Sequence, residues 1–557
     1  MKPNPNNLKF ALIALAAVLI AGQAVQAQDP YSGIWEGKFM QDFSTAILLE
    51  ASDGETYRGK ILMYSGEMRI QDDELSKVSI KNKTLTFYIA AKETTFKGTF
   101  NEELKELSGI FVFPDKSEHP LVVRKKAEDD STPATSGPST KKQIREKIPV
   151  EELKSDLKHL INKLREYHPR LYSHTTEDAF KEKASLVFSS LTQDMSLEEF
   201  YLQIVPLLAV IKCSHTGIRL PSDYQEDLYA QANYLPLDIF IHKKNLYTLS
   251  VYGAKETGLI PGTEILSINQ RSGRQIVEEL LKLIPAEGTN QTSKYQELNQ
   301  HFHRYYHLLD PSREFEIVYG KASDPRQVVL EARTFHEIQT KYKAKEGSPV
   351  FFQIERDPDL ALLKVTSFGI RDMESYIAQL DSAFLVLKTE NISRMVLDLR
   401  DNQGGHPIFA AQLLSYLTEG EFTYFQPNKD VVDFEPLYHP MEANKLHFQG
   451  DIYVLVNGHC LSTTGHLISL IKHHTSASFI GEEPGSSYLC NDMSTQLSLP
   501  HSGLEVNIPR TTFVTAVEGF SDSIAFPVDY PVDISVQDLI QEKDSYFEFV
   551  KTLISEK

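Results

Sequence analysis

Three cysteines in 557 residues, Cys213, Cys460 and Cys490, are too few for a disulfide scaffold. No pair has Cys-x-x-Cys spacing, and there is no His-Glu-x-x-His or histidine-rich run. Nothing local therefore points to a zinc site, to any other metal or to a cofactor. Positive charge is also scarce: 57 Lys and Arg stand against 76 Asp and Glu, a formal charge of −19. Phosphate backbones and anionic bilayers are held through Lys and Arg, so neither nucleic acid nor an anionic membrane surface is an expected partner. Long apolar runs are missing too. The most continuous, residues 10–20, is shorter than the about 20 residues a membrane span needs. It follows Lys2 and Lys9 and ends in small residues around Ala27, the pattern of a secretory signal peptide over residues 1–27. The expectation is an exported protein, periplasmic or extracellular, with no integral membrane span.

What is present suffices for several cores. At roughly 150 residues per domain, 557 residues imply three or four. Residues 28–126 read as short alternating strands, for example 46–49, 85–89 and 107–113, which predicts a small antiparallel β-barrel or sandwich. A stretch rich in Ser, Thr, Pro and acidic residues follows, and 127–143 is read as a flexible linker. Residues 144–229 carry helical periodicity: Leu153, Leu157, Leu160, Ile161 and Leu164 share one face, and Phe200, Ile204, Leu207, Leu208 and Ile211 another. Strand patterns return over 230–345. From 346 to 557, β-rich apolar runs at 360–365, 395–399 and 452–456 alternate with helical stretches near 373–387, 409–417 and 464–472. That alternation predicts an α/β layer with a parallel or mixed sheet, so the chain as a whole reads as multidomain α+β.

Three segments could carry chemistry. Asn457-Gly458-His459-Cys460-Leu461-Ser462-Thr463-Thr464-Gly465 lies between a buried strand and an apolar helix. A serine there sits at the positive helix end near backbone amides that can face an oxyanion, although Ser is equally at home as a plain helix N-cap. Asp398-Leu399-Arg400-Asp401-Asn402-Gln403-Gly404-Gly405 follows another buried strand, and its paired glycines permit amides to point at a ligand or simply make a turn. Cys213-Ser214-His215-Thr216-Gly217 ends a helical region. A serine nucleophile needs a base within reach and a third group to orient it, which His215 and Ser214 can supply.

Taken together, in this order, the segments resemble the C-terminal processing (tail-specific) and tricorn-like serine peptidases. The Asp398 to Gly405 run is similar to that family's strand and glycine turn, the 454–465 run to its nucleophile segment, Ile480-Gly481-Glu482-Glu483-Pro484-Gly485 to a further family turn, and Ser214-His215-Thr216 to its helix-end histidine element. The resemblance covers roughly residue 151 to the C-terminus. It implies a catalytic core of ClpP/crotonase-like fold over 346–557, a helical part of that core over 144–229, Ser462 as nucleophile and an oxyanion hole from Gly404, Gly405 and Thr463. The processing-peptidase branch places a basic lysine after the last turn; here Ser486-Ser487-Tyr488 stands instead. The tricorn-like branch uses a histidine preceded by serine, which implies His215 as base and Ser214 as its orienter. It also implies a late acidic residue, for which Glu518 and Asp522 are the candidates. Residues 259–269 resemble the turn and strand of a PDZ-type domain, which would span 230–345, with 286–309 reading as an insertion. The three cysteines flank the implied site; a Cys460 to Cys490 disulfide and free buried thiols are both compatible with export.

The implied function is a secreted serine endopeptidase acting on peptides or unfolded protein segments through an acyl-enzyme, with oligomerisation possible. A non-catalytic peptide-binding protein on the same scaffold and an esterase using the same residues are the alternatives.

Overall fold

The structure is a computed structural model that describes residues 30–556 apart from 40–42, 54–55, 66–67, 90–93, 102–104, 114–117, 126–146, 232, 254–256, 340–347, 357–358, 371, 429–433 and 522–524. The expected signal peptide and linker lie outside the described residues. The chain divides into two compact units, 1–143 and 144–557.

In the first unit, nine strands between Gly33 and Lys125 form one antiparallel sheet in the order 4-3-2-1-9-8-7-6-5. The two edge strands, Met68–Glu74 and Ser76–Lys81, are successive in the chain, and the residue that joins them, Leu75, donates its N–H to Gly59 O of strand Thr56–Ser65 at 2.8 Å, so the sheet curls into a near-barrel. Period-two alternation explains its interior: along Thr94–Asn101 buried and exposed residues alternate, placing Phe96 and Phe100 inside. Phe96 packs against Phe87 and Phe111, each at 4.8 Å between ring centroids.

The second unit opens with helices Val150–Tyr167, Glu177–Ser190 and Leu197–Ala209. Their apolar stripes bury Leu153, Leu157, Leu160, Phe180, Phe200 and Ile204 together with Leu504, Val506 and Ile508 from late in the chain. Next, strands Leu237–His242, Asn245–Val251, Glu264–Ile268, Glu314–Lys321 and Asp324–Glu331 make an antiparallel sheet in that order. The stretch read as an insertion contains helix Thr292–Leu309, which buries Leu298, Phe302 and Tyr306 in the core of this sheet. It is thus part of the packing rather than an appendage.

The remaining sheet is the α/β layer. Its strands run in the order Val350–Arg356, Asp359–Val365, Arg394–Asp398, Asp451–Val456, Ser478–Gly481, Tyr530–Pro531. The first pair is antiparallel and the others are parallel. Both faces are covered. Leu363, Met395, Leu397, Val454 and Phe479 lie in a core with Leu380, Phe384, Leu414 and Leu467, while Val396, Tyr453, Leu455 and Ile480 pack on Tyr546 and Val550 of helix Ser545–Ser555. Burial on two faces is why these strands read as unbroken apolar runs. Among the described residues, no helix is long and apolar enough to cross a membrane.

Candidate active site

Strands Arg394–Asp398 and Asp451–Val456 are parallel neighbours, with Asp398 opposite Leu455, so the loops that follow them leave the same edge of the sheet. One loop carries the glycine pair and the other carries Ser462. They are laced together: Leu461 N–H donates to Asn402 O at 3.2 Å, and the Thr463 hydroxyl donates to Gly405 O at 2.5 Å. The turn is held from below by Asp398, which accepts from Arg400 Nε and Nη2 at 2.8 Å and from Lys364 Nζ at 3.0 Å. Burial works to raise the Asp398 pKa, but the two cations outweigh it and keep the carboxyl below its ordinary range. Arg400 also spans to both oxygens of Asp544, at 2.8 and 2.7 Å.

Ser462 occupies the N-cap position of helix Thr463–His474, yet its side chain makes no capping hydrogen bond. Its backbone sits at φ 51°, ψ −124°, a conformation that costs a non-glycine residue about 1–3 kcal/mol. Its amide donates to Ser486 Oγ at 3.0 Å, so the stretch where the processing-peptidase branch would place its lysine supplies a backbone brace instead. A serine held this way keeps its hydroxyl off the helix and beside Cys490 Sγ, 3.7 Å away.

The glycines are required. Gly404 and Gly405 have φ of +97° and +137°, and a Cβ on Gly405 would lie 2.1 Å from Phe368 C. Gly404 N–H is spent on Asn402 Oδ1 at 3.0 Å. The amides of Gly405 and Thr463 have no such partner among the described residues, which leaves them as the pair able to face an oxyanion.

His215 comes from far upstream. The strand that follows it, Gly217–Arg219, pairs antiparallel with Glu505–Ile508, and Asn507 Nδ2 donates to His215 O at 2.8 Å. Ser214 Oγ lies 3.2 Å from His215 Nδ1 and donates its proton to Glu287 Oε2 at 3.1 Å; Ser214 N–H donates to the same oxygen at 3.2 Å. With its single proton given to a carboxylate, the Ser214 hydroxyl can only accept from His215. That assigns the ring hydrogen to Nδ1 and leaves the lone pair on Nε2. Glu287 reaches Ser214 because Gly288 N–H donates to Lys212 O at 3.0 Å and Asn290 Nδ2 donates to Pro484 O at 3.0 Å, fastening the loop on both sides. The sequence contains no signal for it: Glu287 is a lone acid in an irregular loop.

Cys490 Sγ lies 3.6 Å from both ring nitrogens of His215 and 3.7 Å from Ser462 Oγ. It sits on strand Leu489–Asp492, paired with Thr511–Val514. Burial pushes its thiol well above the ordinary range, so it is a neutral thiol rather than a thiolate nucleophile. All three cysteines are free and buried, so the Cys460 to Cys490 disulfide does not form; Cys460 Sγ donates to Leu399 O at 3.1 Å under the sheet. Of the late acids, Glu518 is exposed on the bend after Thr511–Val514, and Asp522 lies outside the described residues. The carboxylate that the described structure sets on Ser214 is Glu287.

A strained serine at a strand-to-helix turn, two amides unpartnered among the described residues and a histidine oriented through Ser214 make up the kind of arrangement a serine hydrolase needs. Residues 359–521 match the model of peptidase family S41. In fold, the chain is similar to mature CPAF complexed with lactacystin, over 73% of this chain and 98% of that one, with a TM-score of 0.54 and 13% identity. Mature CPAF without the compound matches over 73% and 97%, with a TM-score of 0.53 and 13% identity. The photosystem II D1 C-terminal processing protease covers 68% and 93% at 15% identity, with a TM-score of only 0.36. No curated protein matches the sequence. Residues 359–521 therefore carry a core of peptidase family S41, a family of serine peptidases.

Proposed function

We propose that the protein is an exported endopeptidase that cleaves peptides or unfolded protein segments through an acyl-enzyme on Ser462, with His215 as general base. His215 Nε2 takes the Ser462 proton as the hydroxyl oxygen attacks the scissile carbonyl, and returns it to the leaving amine. The same nitrogen then deprotonates the water that releases the acyl group. Gly405 N–H and Thr463 N–H face the tetrahedral oxyanion. Glu287, through the Ser214 hydroxyl, fixes the imidazole tautomer and favours the imidazolium that forms. The Cys490 thiol is in contact with both groups, 3.6 Å from His215 Nε2 and 3.7 Å from Ser462 Oγ. The sheet of residues 237–331 is read as the PDZ-like part, offering strand addition to an extended peptide. Export rests on the signal-peptide pattern of residues 1–27.

The observation that carries this reading is the convergence of Ser462 Oγ and His215 on one sulfur atom, at 3.7 and 3.6 Å, with Ser462 strained and free of any capping role. A fluorophosphonate probe tests it. Labelling of the native protein is expected to vanish in Ser462→Ala and to drop by about a thousandfold or more in His215→Ala. Equal labelling of Ser462→Ala would exclude Ser462 as nucleophile.

A further inference from the structure

His215, Cys490 and Asp492 offer one nitrogen, one sulfur and one carboxylate oxygen, all within 4.8 Å of one another. They come from segments 275 residues apart, which is why no ligand spacing shows in the sequence. We propose that these three side chains form an inhibitory binding site for a soft divalent cation of the zinc class, and that occupancy silences the peptidase by taking the lone pair of its base. The binding half of this inference stands on the cluster alone; the inhibitory half rests on His215 being the base for Ser462.

The geometry fits a tetrahedral ion. Ligand distances of about 2.3 Å to sulfur and about 2.0 Å to nitrogen place those two ligand atoms about 3.5 Å apart. The observed separation between Cys490 Sγ and His215 Nε2 is 3.6 Å, and it is the same to Nδ1, so the ring turns to aim the Nε2 lone pair at the ion. The Asp492 carboxylate makes no hydrogen bond or ion pair among the described residues and is only partly buried, so it is able to swing the remaining short distance. Outer contacts match as well. A ligating histidine usually donates its other N–H to a polar partner that fixes the ring, and here His215 Nδ1 is held by Ser214 and, through it, Glu287. Three protein ligands leave a fourth position for water. On binding, Cys490 gives its proton to solvent, and no electron is transferred. Acyl transfer and metal binding then exclude each other, because both need the same pair of electrons on His215.

Cobalt(II) reports the site without any catalytic readout. Added to full-length protein stripped with a chelator, it is expected to produce a near-ultraviolet thiolate charge-transfer band and the intense visible bands of four-coordinate cobalt, both bleached by zinc. Cys490→Ser should lose the charge-transfer band. Asp492→Asn, which alters no residue of the acyl-transfer machinery, should label with the fluorophosphonate as the native protein does, while needing at least tenfold more zinc to block labelling. Near-ultraviolet circular dichroism identifies either variant if it misfolds, and the native titration then decides alone. Absence of cobalt bands in native protein that labels with the probe overturns the proposal, as does a charge-transfer band that survives Cys490→Ser. If the chelator abolishes labelling, the inhibitory role is wrong. Cobalt bands in a protein that never labels would keep the cation site and sink the Ser462 reading instead.

Discussion

Glu287 Oε2 receives two hydrogen bonds from Ser214, one from its amide at 3.2 Å and one from its hydroxyl at 3.1 Å. The second is the one the proposed mechanism uses, because it leaves the Ser214 hydroxyl to accept from His215 Nδ1 and the lone pair on Nε2. Glu287→Gln is expected to lower kcat by about ten- to a hundredfold with KM little changed, since a glutamine can offer its own N–H and reverse the Ser214 hydroxyl. Ser214→Ala should behave alike. The Ser214→Ala/Glu287→Gln double variant should be no slower than Ser214→Ala, a non-additivity that steady-state kinetics on a peptide substrate measures directly. Fully additive losses would mean that Glu287 acts by some other route.

Thr463→Val removes the hydroxyl that donates to Gly405 O and leaves the backbone amides in place. The protein should fold, with kcat reduced by about tenfold because the two oxyanion donors are no longer tied together. Unchanged kcat in a peptide assay would show that the glycine turn needs no such tie.

Arg400 pairs with two carboxylates, of which Asp398 is nine-tenths buried or more. Arg400→Met leaves Asp398 with the residue-400 amide and a single cation, Lys364, and is expected to cost about 3–5 kcal/mol of stability, read from the urea midpoint. A loss below about 1 kcal/mol would indicate that Lys364 suffices.

His466 lies on the buried face of helix Thr463–His474, 3% exposed, with neither ring nitrogen hydrogen-bonded among the described residues, and burial pushes its pKa from 6.5 down to about 3. The unfolded chain therefore binds a proton below pH 6.5 that the folded protein refuses until about pH 3. Stability supported by the neutral ring is complete above pH 6.5 and is lost as pH drops through that window, by about 1.4 kcal/mol per unit. His466→Phe, which keeps the ring stacked edge-on against Phe425, should flatten the dependence of the urea midpoint on pH between 6 and 4. An unaltered slope would place the acid sensitivity elsewhere, for instance at His168, pushed down to about 4 by burial.

Much of the α/β layer was legible because its strands are covered on two faces and leave unbroken apolar runs such as 452–456. The glycine pair was legible for a related reason, since few residues other than glycine tolerate φ of +97° and +137°. Ser462 and His215 were legible only jointly, as each is an ordinary cap or turn residue by itself. Glu287 was not legible: its loop has no periodicity, and its place is set by contacts to Lys212 and Pro484, far away in the chain. For the same reason residues 286–309 read as an insertion, whereas helix Thr292–Leu309 buries its apolar face in the sheet core. The cysteines left a disulfide and free thiols both open; the three are free, and Cys490 Sγ lies within 3.7 Å of both His215 and Ser462.

The backbone angles of Ser462 set the two demands on that position against each other. Glycine would relax there at no steric penalty, so Ser462→Gly should melt at a higher temperature than the native protein while hydrolysing nothing. Selection for stability alone would drift toward glycine at this position. A serine in such a conformation gives up stability to keep a hydroxyl that glycine lacks, the trade that a nucleophile requires.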